Sequence, residues 1–332
     1  MTSTISVLGA GSWGTALAIQ AARNGYRTLL WGHDPIHIRT LQQNRTNQRY
    51  LPGFVFPNTL ETSSELAEAA AFSDLILIAV PSHAFKDTLI KLRRFTGQQV
   101  QIAWATKGFA PNDGYLLHYS VERIFSKETP TAVLSGPTFA REVAADLPTA
   151  ITIASNHAGF SELLTRIFHS ARFRTYTSTD MIGVQTGGAV KNVLAIASGI
   201  ADGLNFGANT RAALITRGLH EIIRLGLELG GRQETFMGLA GLGDLILTCT
   251  DNQSRNRRFG LALGQNKNRA AAREEIDQEI EGVSAAKETY LLAQTHGIDM
   301  PITEQTYKVL YESLSPLAAV QNLLDRELKA ES

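Results

Sequence analysis

The chain has 332 residues, 44% hydrophobic and 19% charged, and its 31 lysines and arginines balance 31 aspartates and glutamates. That composition excludes a disordered polyelectrolyte, and zero net charge leaves no global field to gather nucleic acid or anionic lipid. A single cysteine, Cys249, excludes an intramolecular disulfide and a cysteine-built metal cage.

At about 100–200 residues per domain, the length predicts two domains. Met1-Thr2-Ser3-Thr4 leads into a short apolar run without the basic segment of a signal peptide. No apolar run nears the ~20 residues that cross a bilayer, so stable membrane insertion is not expected and the cytoplasm is the expected location. Strand-like runs at 5–8, 27–31, 75–80, 100–104, 132–135, 150–154 and 173–176 alternate with amphipathic stretches at 13–24, 63–71, 85–94 and 161–169. Such alternation predicts βαβ units and a mainly parallel sheet, and the almost wholly apolar strands predict cover on both faces. Beyond residue 180 no strand pattern appears, and 181–204, 210–229, 254–263, 283–296, 301–311 and 318–328 read as helices. The expected division is an α/β domain over 1–180 and an all-α domain over 181–332, whose apolar helices offer enough surface for a homodimer interface.

Gly9-Ala10-Gly11-Ser12-Trp13-Gly14 follows the first strand and opens the first helix. Gly9 suits the tight turn, Gly11 admits a pyrophosphate, and Gly14 lets helix and strand pack closely. The helix N-terminus then presents N–H groups to phosphate. A dinucleotide-binding, Rossmann-type domain is the reading; a glycine-rich turn that binds nothing is the alternative. Asp34 lies 20 residues after Gly14, where an acid binds ribose hydroxyls and rejects a 2′-phosphate. It equally suits the cap of a helix starting at Pro35. His33 beside it would attract that phosphate when protonated.

Later strand ends carry polar groups toward the same crevice. Lys107 follows the run 100–104 and is either a ligand for a carbonyl or a solvated loop lysine. Ser135-Gly136-Pro137-Thr138-Phe139-Ala140 offers close approach at Gly136 and a hydroxyl at Thr138, or is simply the turn that starts a helix. Lys191 is the lone cation of a small, apolar helix, with Gly187 and Gly188 one turn before it, expected to clear space beside it. A buried lysine must be paired or lose its charge, which suggests an acid/base group, unless the side chain snorkels outward. Asp244, from a glycine-rich loop at 238–245, is placed to hold that ammonium or to cap a helix. Ser254 reads as an N-cap, and Arg255-Asn256 as a first helical turn. Cations there oppose the helix dipole unless a local anion sits beside them; a solvated basic face is the alternative.

Together these residues closely resemble the bacterial glycerol-3-phosphate dehydrogenases (NAD(P)+). The matching stretches are 9–16, 31–35, 105–108, 135–140, 187–192, 241–245 and 250–260, and the likeness runs from about residue 4 to 312. The resemblance implies a reversible, NAD(P)H-dependent reduction of dihydroxyacetone phosphate to sn-glycerol 3-phosphate for glycerophospholipid synthesis; no metal is expected, since the two lysines can polarise the carbonyl. It implies a dinucleotide site lined by Ser12, Trp13, His33, Tyr50, Lys107 and Ala140 besides the three glycines. Arg255 and an acidic loop holding Glu279 and Glu281 would close over the cofactor. Substrate would be held by Lys107, Gly136, Thr138, Lys191, Asp244, Ser254, Arg255 and Asn256, with Lys191 as acid/base, Lys107 polarising the carbonyl and Asp244 aiming the ammonium. A β-hydroxyacid dehydrogenase is disfavoured because Ala195, not Asn, stands four residues after Lys191. A dinucleotide sensor without turnover is the rival from another class.

Overall fold

The computed structural model describes residues 4–111 and 114–326. The first elements are β1 (Thr4–Leu8), α1 (Ser12–Arg23), β2 (Arg27–Trp31), α2 (Pro35–Asn44), β3 (Thr46–Asn47), β4 (Leu51–Val55), β5 (Leu60–Ser63), α3 (Leu66–Phe72), β6 (Leu75–Ile78) and α4 (Ser82–Arg93). There follow β7 (Gln101–Trp104), α5 (Leu117–Ile124), β8 (Thr131–Ser135), α6 (Ala140–Ala144), β9 (Thr149–Ser155), α7 (Ala158–Phe168) and β10 (Phe173–Ser178). Then come only helices: α8 (Met181–Gly203), α9 (Gly207–Glu228), α10 (Gln233–Met237), a π-helical turn (Leu239–Gly243), α11 (Asp244–Thr250), α12 (Arg255–Gly264), α13 (Arg269–Glu274), α14 (Glu281–His296), α15 (Pro301–Tyr311) and α16 (Pro316–Leu324).

Eight strands form one sheet in the order β10-β9-β8-β7-β6-β1-β2-β5. Every neighbouring pair is parallel except β8 with β9. Chain order reverses between β1 and β6, and the loops after such strands frame the ligand crevice of an open α/β sheet. This is the expected Rossmann-type sheet followed by helices. The seven expected strands are all present. The short hairpin of β3 and β4, and the edge strand β5, went unforeseen. β4 holds Pro52 and Gly53, and β5 reads Leu-Glu-Thr-Ser, so neither shows an apolar run.

The described residues form two compact units, one of 4–110 with 115–185 and one of 111 and 114 with 186–326. In the first, Ile5, Val7, Leu17, Leu30, Leu77, Leu134 and Phe160 join one core between sheet and helices. In the second, Val193, Ile196, Phe259, Leu263 and Leu310 share another.

Two expectations in the helical part are corrected. Residues 239–245 are not a loop but the π-helical turn running into α11. Gly241 serves close packing: a Cβ on it would lie 2.1 Å from the Phe236 carbonyl oxygen. Gly187 is corrected likewise. A Cβ there would meet the Ala240 carbonyl oxygen at 2.7 Å, so this glycine admits the π-helical turn and does not clear a ligand space. Of the expected last helix, residues 327 and 328 lie outside the described residues. No helix among the described residues is long and apolar enough to cross a membrane.

Candidate active site

The first unit offers a phosphate cradle built from main chain. Gly9 turns with φ +126°, and a Cβ on it would strike the Ala79 carbonyl at 2.7 Å. A Cβ on Gly14 would lie 2.0 Å from the Gly9 carbonyl oxygen, so the helix sits directly on the turn. At Gly11 the space beside the backbone is open within 4 Å. Gly11 is the N-cap of α1, offers no side-chain cap, and no acid stands in the first turn. The N–H groups and positive dipole end there fit an anion. The residues present thus fit a dinucleotide pyrophosphate, with Ser12 and Trp13 in the first turn of α1.

Around this loop the other expected cofactor residues are scattered over several strand ends. His33 is exposed just beyond β2, and Tyr50 is half-buried before β4. Asp34 caps α2, accepting from the Ile36 amide at 2.9 Å and the His37 amide at 3.3 Å. Backbone donation from His37 and Ile36 holds its carboxyl below the usual range. Of the two roles open to Asp34, capping is the one its carboxylate performs. Lys107 is half-buried beyond β7, and the preceding Thr106 hydroxyl ties that strand end to the Val80 carbonyl oxygen at 2.7 Å. Gly136 is buried at the end of β8, Thr138 donates to its carbonyl at 3.1 Å, and Ala140 begins α6. Buried and without a hydrogen-bond partner among the described residues are Trp13 Nε1, Trp104 Nε1 and Ser135 Oγ.

The second unit builds its site from side chains. Lys191 on α8 is 4% exposed, and Asp244 at the start of α11 is 1% exposed. Their ammonium and carboxylate form an ion pair, and the ammonium also donates to Thr248 Oγ1 at 3.0 Å. Thr248 stands one turn after Asp244 and donates to its carbonyl oxygen at 2.6 Å, which fixes the hydroxyl. The lysine is therefore paired inside, not snorkelling. Asn256 donates to Asn192 Oδ1 at 3.0 Å, and its own oxygen accepts from the Gly282 amide at 2.9 Å. Ser254 caps α12 through the Arg257 amide at 3.2 Å. Arg255 is half-buried beside it and reaches Gln278 at 3.4 Å.

Residues 4–161 match the family described as NAD-dependent glycerol-3-phosphate dehydrogenase N-terminus, and 180–321 match its C-terminus. The chain belongs to this dehydrogenase family. It is 55% identical over 331 residues to a Pseudoalteromonas translucida protein named glycerol-3-phosphate dehydrogenase [NAD(P)+], covering 99% of each chain. An Aeromonas hydrophila protein of the same name is 54% identical, with 98% of each covered. A solved glycerol-3-phosphate dehydrogenase from Coxiella burnetii superposes with a TM-score of 0.96 at 50% identity, covering 98% of this chain and 99% of that one.

In this family member the acidic segment is corrected in part. Glu279 lies in the connection before α14, but Glu281 is that helix's first residue. The amide after it is held by Asn256, so the segment is anchored where a loop was expected. Sequence reasoning missed Thr248, whose signal is its four-residue spacing from Asp244. It also missed the partner of Arg257, whose guanidinium is buried against Asp202 on α8 and the Cys249 carbonyl oxygen, the latter at 3.0 Å. That arginine is engaged inside the fold. Burial pushes the Cys249 thiol up to about 12, so it stays protonated and inert.

Proposed function

We propose that this chain reduces dihydroxyacetone phosphate reversibly to sn-glycerol 3-phosphate with NADH or NADPH, feeding glycerophospholipid synthesis. One observation carries the chemistry: a buried lysine ammonium held by a buried carboxylate and a fixed hydroxyl. A bound reduced nicotinamide supplies the hydride that the carbonyl carbon receives. Lys191 gives a proton to the developing alkoxide oxygen and takes one back in the reverse direction. Asp244 and Thr248 fix the direction of the ammonium before reaction, so no reorganisation is needed at the transition state. Lys107 polarises the carbonyl. Arg255 and the first-turn N–H groups of α12 hold the phosphate, which explains a cation at a helix N-terminus. Asn256 supports this turn through Asn192 and Gly282. Residues 1–180 bind cofactor and 181–332 carry substrate and acid/base groups in this reading. We further infer a cytoplasmic homodimer, supported by exposed Leu227, Met237 and Ile246 on the helical unit.

Loss of absorbance at 340 nm with dihydroxyacetone phosphate tests the reaction, and folded protein without turnover refutes it. Arg255→Ala is expected to raise the KM for this substrate by roughly 2 kcal/mol equivalent, as for a lost charge-assisted bond. Unphosphorylated dihydroxyacetone should be used poorly by both forms, with a much smaller gap. An equal loss for both substrates would mean that Arg255 does not hold phosphate.

A further inference from the structure

The end of β2 is where the adenine ribose of a bound dinucleotide lies, and the residue that usually reads the 2′-position there is an acid. In this chain that acid, Asp34, is engaged in capping α2 through two backbone amides. The neighbouring turn at 47–50 supplies different groups, and it is pinned to the glycine loop. Asn47, fully buried, donates to the Ala10 carbonyl oxygen at 3.0 Å and to Thr15 Oγ1 at 2.8 Å, and accepts from the Tyr50 amide at 3.2 Å. One side chain thus sets where Arg49 and Tyr50 stand relative to the pyrophosphate cradle.

Three side chains follow in a row there. The His37 ring meets the Tyr50 ring edge-on at 5.2 Å, and the Arg49 guanidinium carbon lies 5.0 Å from the centre of the Tyr50 ring. Stacking on tyrosine limits the rotamers of an otherwise floppy side chain, which lowers the entropy lost on binding. Arg49 is exposed and makes no ion pair among the described residues. Burial holds His37 below the usual histidine range, and the charges of Arg49 and His33 push the same way against the Ala10 backbone and Asp34. The permanent cation of the group is therefore Arg49, with exposed His33 beside the same strand end.

Resting on the dinucleotide reading above, we propose that Arg49 is a specificity-determining residue: its guanidinium binds the 2′-phosphate of NADP(H), a phosphomonoester dianion, and raises NADPH relative to NADH. The fork of N–H donors matches that dianion, and the Tyr50 stack presents it.

Calorimetric titration of the full chain with NADP+ and with NAD+ separates the possibilities without relying on turnover. In Arg49→Ala the Kd for NADP+ is expected to rise about tenfold, while that for NAD+ moves less than about twofold. Arg49→Lys should recover part of the difference, and 0.5 M salt should shrink it, because the contact is exposed. A parallel weakening of both nucleotides, or no change in either, overturns the proposal. Wild-type chain that binds neither nucleotide overturns the dinucleotide reading itself, a result distinct from an unchanged ratio.

Discussion

The two units build their candidate sites from different materials. In the sheet unit the cradle is main chain: two glycines packed on carbonyls, and a helix start left uncapped. In the helical unit the site is side chain, buried and mutually bonded, with Lys191, Asp244 and Thr248 almost sealed from water. A cofactor carrying its own chemistry needs only shape and N–H groups. A proton-transferring group needs a held charge, and a held charge in the interior needs its partner. The difference predicts that the sheet unit fails by geometry and the helical unit by electrostatics.

The sharpest way to break that contrast is Lys191→Ala. It should lower turnover at least ~100-fold and, by stranding the Asp244 carboxylate, destabilise the protein by about 3–5 kcal/mol. Denaturant unfolding and NAD+ binding check it, and NAD+ affinity should change little. Lys191→Met combined with Asp244→Leu should regain most of the stability and none of the activity. A double variant as unstable as the single one would show that the buried charge was not the cause.

Glu221 sharpens the same point away from the site. It is 1% exposed and accepts from the Ile302 and Thr303 amides and the Thr303 hydroxyl, at 2.6, 3.1 and 2.8 Å. Burial nevertheless raises its carboxyl from 4.5 to about 7, against those three donors. A raised carboxyl binds its proton more tightly in the folded state. Its contribution is therefore fully present below pH 4.5 and is lost as pH rises through about 7. Relative to Glu221→Gln, wild-type stability should fall by about 3 kcal/mol over that window. A flat difference would mean that the three donors keep the carboxylate ionised throughout.

In the sheet unit the matching probe carries no charge. Gly14→Ala should cost about 2 kcal/mol from the overlap with the Gly9 carbonyl and abolish NAD+ binding at concentrations that saturate wild type. Retained binding would mean that the helix start is not held by that contact.

The same contrast governs what the sequence disclosed. Seven strands and the glycine loop were legible because they leave residue-type signatures: glycine where Cβ does not fit, and mostly apolar runs where the sheet is covered. Lys191 was legible as a lone cation among small residues. Its surroundings were misread in one respect, since glycine looks alike in sequence whether it frees a loop or lets two segments touch. Gly187 and Gly241 do the latter. The four-residue spacing places Thr248 on the face of Asp244, but that Lys191 meets it, and that Asp202 meets Arg257, depends on which helix packs where, which no spacing within one helix encodes. The antiparallel β9 was hidden for the same reason, since an apolar strand carries no mark of direction.

Between α8 and α12 the main chains themselves touch. A Cβ on Gly260 would lie 2.0 Å from the Ile196 carbonyl oxygen, and one on Gly199 2.1 Å from that of Arg257. Side chains that fill a core can be exchanged for others of similar volume, and an interhelical distance set by them wanders as they change. Here the spacing between the helix of Lys191 and the helix of Arg255 is set by atoms that every residue shares. Apolar neighbours such as Ile196 and Phe259 are therefore free to drift over generations without altering the spacing between the helices that carry Lys191 and Arg255. The four glycines of this contact, at 199, 203, 260 and 264, have no such freedom. Inherited variation in this half should accumulate in the filling and stop at the seam.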